Sequence, residues 1–186
     1  MKKIIIPLLA AMMTLTACEE TETLTYDLGP ATIEYPSNYV INNVQVGEDG
    51  SFGFACETTH EEELSKIDVA VFPDMDLMND ENARRELLSV MTENGLAEYY
   101  KKINSLTEKN SEKGGITDVQ KNQFDESGCV CVTNIKANYA GEDILASIEA
   151  YYIDDWKSVV YVIYETTEGS RDMDKLRGIM ETLKLK

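Results

Sequence analysis

Between Cys129 and Thr166 the chain runs CVCVTNIKANY, AGED, ILASIEAYYI, DDWK and SVVYVIYET. The long segments are rich in β-branched and aromatic residues, and the short ones carry Gly and Asp, so they read as strands over Cys129–Tyr139, Ile144–Ile153 and Ser158–Thr166 joined by tight turns. Two strands joined by a handful of residues must be antiparallel, because a parallel neighbour needs a crossover of about a dozen residues or more. This excludes an all-parallel sheet. Every other element has to be fitted around an antiparallel core.

The first half supplies matching pieces. ATIEYP reads as a short strand ended by Pro36, which cannot donate to a ladder. Tyr39–Val46 and Phe52–Thr58 are two further strands joined by a turn in GEDGS, and Phe52, Phe54 and Cys56 share one face of the second. Ile67–Pro73 is apolar on both faces, as in a central, covered strand. A helix follows, with Asn79 or Asp80 as its cap and Leu87, Leu88 and Met91 as its stripe; Asn94-Gly95 is placed for a cap or kink before the pattern resumes at Leu96, Tyr99, Tyr100 and Ile103. TEKNSEKGG reads as a loop, and Ile116–Asp125 as a polar edge strand. Ser170 or Asp172 caps a last helix bearing Met173, Leu176, Met180 and Leu183, with lysines in its final turn. The expected fold class is α+β, an antiparallel β-sheet with helices packed on it.

The N-terminus, MKKIIIPLLAAMMTLTAC, is of another kind. Two lysines precede a short apolar run, too short for a membrane-spanning helix of about 20 residues, and the pattern is that of a secretory signal. Leu15-Thr16-Ala17-Cys18 resembles a bacterial lipobox. That resemblance implies residues 1–17 as a cleaved signal peptide, lipid (palmitate among the acyl chains) attached at Cys18, and a mature chain held in the cell envelope, in the outer membrane. Two acyl chains already give stable anchoring. Residues 18–25 read as an acidic tether, and 26–186 as a single α+β domain. Glutamates after the lipidated cysteine also resemble surface-export signals of some Bacteroidota, which leaves the periplasmic and cell-surface sides both open.

Charge narrows the partners. Lys and Arg total 17 against 34 Asp and Glu, a formal charge of −17, and the leader removes Lys2 and Lys3 besides. Such a chain is repelled by nucleic acid and by anionic headgroups. At 43% hydrophobic residues it is not disordered by composition.

The element order resembles the PsbP-like α/β/α sandwich: a strand ending in Tyr35-Pro36, then Asn38-Tyr39, the VAVFP strand, a long amphipathic helix, antiparallel strands and a C-terminal IMETLK helix. The resemblance spans Tyr26 to Lys186 and implies a non-enzymatic binding or assembly module. It carries over no set of functional residues and implies no cofactor.

No motif supplies chemistry. Cys129 and Cys131 point to one strand face, and three states are open for them and Cys56: reduced core thiols, one disulfide from Cys56 to Cys129 or Cys131, or a metal or redox site. His60 is the only histidine, and Leu64 stands where a zinc-protease helix needs its second. A dyad with Cys56 would have to form where the chain leaves a strand. Asp74, Asp76 and Asp80 miss the calcium-loop pattern, since Met78 and Asn79 occupy the ligand and glycine positions. Tyr151 shares a strand face with Ser147 and Glu149, open either to recognition or to cross-strand packing. The expected function is a lipid-anchored binding or assembly module, not an enzyme, with no metal, no cofactor and no nucleic acid. Its envelope partner or ligand is unnamed by the sequence. The alternatives are an envelope hydrolase using carboxylates alone and a structural spacer lipoprotein.

Overall fold

The computed structural model describes residues 21–60, 64–77, 80–110, 114–139, 141–170 and 172–186. The signal peptide, the lipobox with Cys18 and the Asn79 cap lie outside the described residues.

The hairpins of the second half build most of a seven-stranded antiparallel sheet. Its strands are β3 (Tyr39–Val46), β4 (Phe52–Thr58), β5 (Ser65–Phe72), β6 (Gly115–Phe124), β7 (Val130–Tyr139), β8 (Glu142–Ile153) and β9 (Ser158–Thr167), in the order β3-β4-β5-β9-β8-β7-β6. The polar strand β6 lies at an edge, as its composition predicts. β5 lies third from the other edge, and Lys66, Asp68, Ala70 and Phe72 on one of its faces are only half-buried, so it is covered on one side rather than two.

A second sheet was not legible in the sequence. β1 (Thr23–Asp27) and β10 (Lys184–Leu185) flank β2 (Ala31–Pro36), so the first and last described elements pair with the same strand. Residues 23–25, read as tether, are therefore part of the fold: Thr23, Leu24 and Thr25 lie opposite Pro36, Tyr35 and Glu34. Lys184 likewise lies in a strand, not in the last turn of a helix. Thr182 fixes this corner, its hydroxyl lying 2.9 Å from both the amide nitrogen and the carbonyl oxygen of Glu34.

Two helices cover opposite faces. α1 (Glu81–Asn110) begins where Asp80 Oδ1 accepts the Ala83 amide at 2.9 Å, the expected cap. It packs on β6, β7 and β8 and continues unbroken past Asn94-Gly95 into residues read as loop. Gly95 is neither cap nor kink. A Cβ there would overlap the Tyr161 hydroxyl and meet Ile148 Cγ2 at 3.0 Å, so the missing side chain lets helix and sheet approach. α2 (Asp172–Glu181) packs on β2, β5 and β9 from the other side. Its Leu176 and Ile179 join Ile33, Phe54, Cys56, Ile67 and Val162 in the larger core, while Leu96, Tyr99 and Ile103 of α1 meet Ile135, Ala146 and Ile148 on the opposite face. The fold is α+β with antiparallel sheets and a helix on each face, as expected.

Candidate functional site

Strand alternation sets Ser147, Glu149 and Tyr151 on the α2 face of β8, opposite Tyr164, Val162 and Val160 of β9. A glutamate in so apolar a run has to be paired where it is buried. Glu149 is 3% exposed, and three donors converge on it. Arg177 Nη2 from α2 lies 2.8 Å from Oε1, and Ser147 Oγ donates to the same oxygen at 2.7 Å. The Tyr151 hydroxyl donates to Oε2. Arg177 also lies over the Tyr164 ring, 5.8 Å from its centroid. Burial works to lower the Arg177 pKa, but Glu149 outweighs it and the guanidinium is held more firmly protonated.

Beside this pair opens a cleft of about 300 Å³ lined by Tyr151, Ile153, Trp156, Tyr164, Met180 and Leu183. Trp156, the only tryptophan of the chain, stands on a single 3₁₀ turn (Asp154–Trp156) between β8 and β9. That turn ends at Lys157 with φ of 45°, so the chain reverses over the four residues 154–157 and leaves the indole half-buried against the large core. A second, more polar cleft of about 250 Å³ continues on the far side of Arg177, lined by Gln120, Asn134, Lys136 and Ser147 among others. Arg177 borders both.

Of the residues weighed in sequence for chemistry or recognition, Tyr151 alone belongs to this site, and Met180 and Leu183, read there as helix stripe, also line its cleft. Cys56 is fully buried in the α2-side core, and burial, with Glu57 adding to it, pushes its thiol up to about 12. His60 is exposed beyond the end of β4, so the two form no reactive dyad. Cys131 is buried on the α1 face, where Thr92 Oγ1 lies 3.5 Å from its sulfur; Cys129 is half-buried just before β7. The proposed disulfide does not fit. Cys56 and Cys131 lie on opposite faces of the sheet with β5, β9 and β8 between their strands, four spacings or about 19 Å, and a disulfide needs Cα atoms within about 7 Å. Cys129, two residues before Cys131, is no nearer, and all three are free thiols. Asp80 is a helix cap, and Asp74, with φ of 59°, turns the chain out of β5. Among the described residues no three His, Cys, Asp or Glu side chains gather to hold a metal ion.

Glu149, Trp156 and Arg177 were missed. Glu149 carried a signal, a charge inside a run buried on both faces, but Arg177 is distant in sequence and nothing local announces the pairing.

No family model matches the chain, and no curated protein matches it in sequence. Among solved structures it is similar to the cyanobacterial PsbP of Synechocystis sp. PCC 6803, at 8% identity over 94% of this chain and 99% of that one, with a TM-score of 0.41. It is also similar to the Ran-binding protein Mog1p of Saccharomyces cerevisiae, at 11% identity over 89% and 96%, with a TM-score of 0.42. A Bacteroides thetaiotaomicron structure aligns at 11% identity and a TM-score of 0.43, covering 89% of this chain and 48% of that one. Likenesses this distant do not bear on what the chain binds.

Proposed function

We propose that this chain is a lipid-anchored envelope protein whose PsbP-like domain is a binding module, its Trp156 cleft accepting an apolar group without chemistry. One observation carries the reading: an aromatic and aliphatic cleft bordered by Arg177, whose buried partner Glu149 is held by that guanidinium and two hydroxyls. Ligand sites are mostly apolar with a few fixed polar groups, and this cleft has that composition. A general acid would instead need a carboxyl held protonated near neutral pH. Among the described residues the carboxyl groups whose ionisation is displaced all move the other way. Lys186 lowers Asp27, and the Ser51 hydroxyl lowers Asp49. At Asp125 slight burial is outweighed by Ser127 and neighbouring amides.

The membrane enters through Leu15-Thr16-Ala17-Cys18, and labelling with radioactive palmitate, lost in Cys18→Ser, tests the anchor. Protease shaving of intact cells separates a surface domain, which is removed, from a periplasmic one, which survives. For the cleft, the neutral probe N-phenyl-1-naphthylamine should bind saturably and alter Trp156 fluorescence, with binding abolished in Met180→Glu while its circular dichroism stays that of the folded chain. Equal binding by that variant refutes the site. Reproducible turnover of ester or glycoside substrates, lost in Glu149→Gln, refutes the non-enzymatic reading.

A further inference from the structure

Resting on the binding-cleft reading, we infer that the occupant is an extended peptide segment of a partner protein, placing an apolar side chain in the Trp156 cleft and basic residues at its mouth. Size is the first argument. About 300 Å³ is at the small end for a ligand pocket, and suits one or two large side chains better than a whole cofactor.

Shape is the second. Arg177 borders both the apolar cleft and the polar one, so an extended segment that crosses this side chain reaches both. The polar part is lined by Gln120 and Asn134, whose side-chain amides suit the N–H and C=O groups of an extended backbone.

Charge is the third and decides the partner's chemistry. Asp154 and Asp155 directly precede Trp156, and Asp174 and Glu181 lie on α2 on either side of Arg177; all four are exposed. None of them takes part in an ion pair among the described residues. The nearby cations are largely occupied: Arg177 by Glu149, Lys175 by Asp172 at 2.7 Å, and Lys184 by Glu34 at 3.7 Å. Among the described residues Lys157 alone opposes these four carboxylates, of which Glu181 lines the cleft, so its surroundings are net negative on a chain that is itself strongly acidic. Such a field attracts a basic segment and repels an acidic one or an anionic lipid.

Trp156 is the only tryptophan, so its fluorescence reports on the cleft alone. Three tryptophan-free peptides with blocked ends serve as probes: Lys-Lys-Leu-Phe-Lys, Glu-Glu-Leu-Phe-Glu and Lys-Lys-Ser-Ser-Lys. The first should bind saturably, about tenfold tighter than either of the others, and weaken as salt rises. Asp154→Asn/Asp155→Asn/Asp174→Asn should lose about tenfold for that peptide and leave the naphthylamine probe unaffected. Equal binding of the acidic peptide, or of the serine peptide, overturns the inference. If the probe binds and no peptide does, the inference falls and the cleft stands; if neither binds, both fall.

Discussion

Removing Arg177 should expose how Glu149 is tolerated inside the domain. At 2.8 Å and an effective dielectric constant of about 20, a unit-charge pair is worth about 6 kcal/mol of attraction. That is an upper bound, because the Arg177 side chain is 43% exposed while that of Glu149 is 4% exposed. Exposed pairs contribute about 0–1 kcal/mol, and breaking a buried pair costs about 3–5. Two hydroxyls would still serve the orphaned carboxylate, so Arg177→Met should cost about 2–3 kcal/mol. For a domain of this length that is a fall of about 5–10 °C in melting temperature. Glu149→Gln in the same chain removes the charge that Arg177 neutralised, so the double variant should cost less than the two single ones added together, by at least about 1 kcal/mol. Urea unfolding at pH 7, followed by circular dichroism, measures all four corners of the cycle. A loss below about 0.5 kcal/mol for Arg177→Met, or strict additivity, refutes the account of the site as a coupled pair.

Gly95→Ala should destabilise by about 1 kcal/mol despite the better helix former, because the new methyl meets the Tyr161 ring and Ile148; Tyr161→Phe in the same chain should recover part of the loss, and a stabilised Gly95→Ala would refute the close-approach reading. Asp125, whose Oδ1 accepts the Val130 amide at 2.9 Å across the β6–β7 turn, has a lowered pKa, so its stabilisation is present above the ordinary aspartate value and lost as pH falls below it. Asp125→Ala should therefore cost about 1 kcal/mol at pH 7 and nothing at about pH 2, and a cost independent of pH counts against the assignment. Cys56, with its thiol pushed up to about 12, should resist iodoacetamide at pH 8 until the chain is unfolded, and the intact mass should be the same with and without reductant; labelling of native Cys56 would show the core is open.

How much the sequence disclosed depended on distance along the chain. The hairpins β7–β8 and β8–β9 were legible because a four-residue link dictates antiparallel pairing. Polar β6 was legible as an edge because only an edge tolerates such a strand. β1 was not, since EETETLT has no apolar period and its pairing with residues 32–36 is decided by what covers Tyr26 and Ile33. β10 is two residues long and exists only because α2 delivers it beside β2. Asn94-Gly95 looked like punctuation, and only the Tyr161 ring from a distant strand reveals why glycine sits there. The site follows the same rule. Tyr151 and Glu149 could be placed on one strand face, whereas Arg177 joins them only through the packing of α2, and Trp156 through the turn that follows β8.

The cleft itself is a consequence of how the helices are shared out. A helix with its side chains is about 10 Å across and covers two or three strands at about 4.8 Å spacing. α1 takes β6 to β8 on one face, and α2 with the small sheet takes β3, β4, β5 and β9 on the other. No helix therefore covers the α2 face over β6 to β8, and the boundary falls between β9 and β8. A side chain at that boundary is apolar-walled on one side and open to water on the other. Glu149 can stay charged there because Arg177 reaches it from the helix rim, and Trp156 can stay half-buried because β8 and β9 end beside it. Topology alone would leave some cleft at this step, so its presence says little about function. Information lies in what lines and rims it: three aromatic rings, the guanidinium of Arg177 already paired with Glu149, and carboxylates that take part in no ion pair among the described residues. Experiments on function should accordingly vary the rim charges of Asp154, Asp155 and Asp174, which contribute little to the core, and leave Val160, Tyr164 and Leu183 intact, since changing those tests the fold.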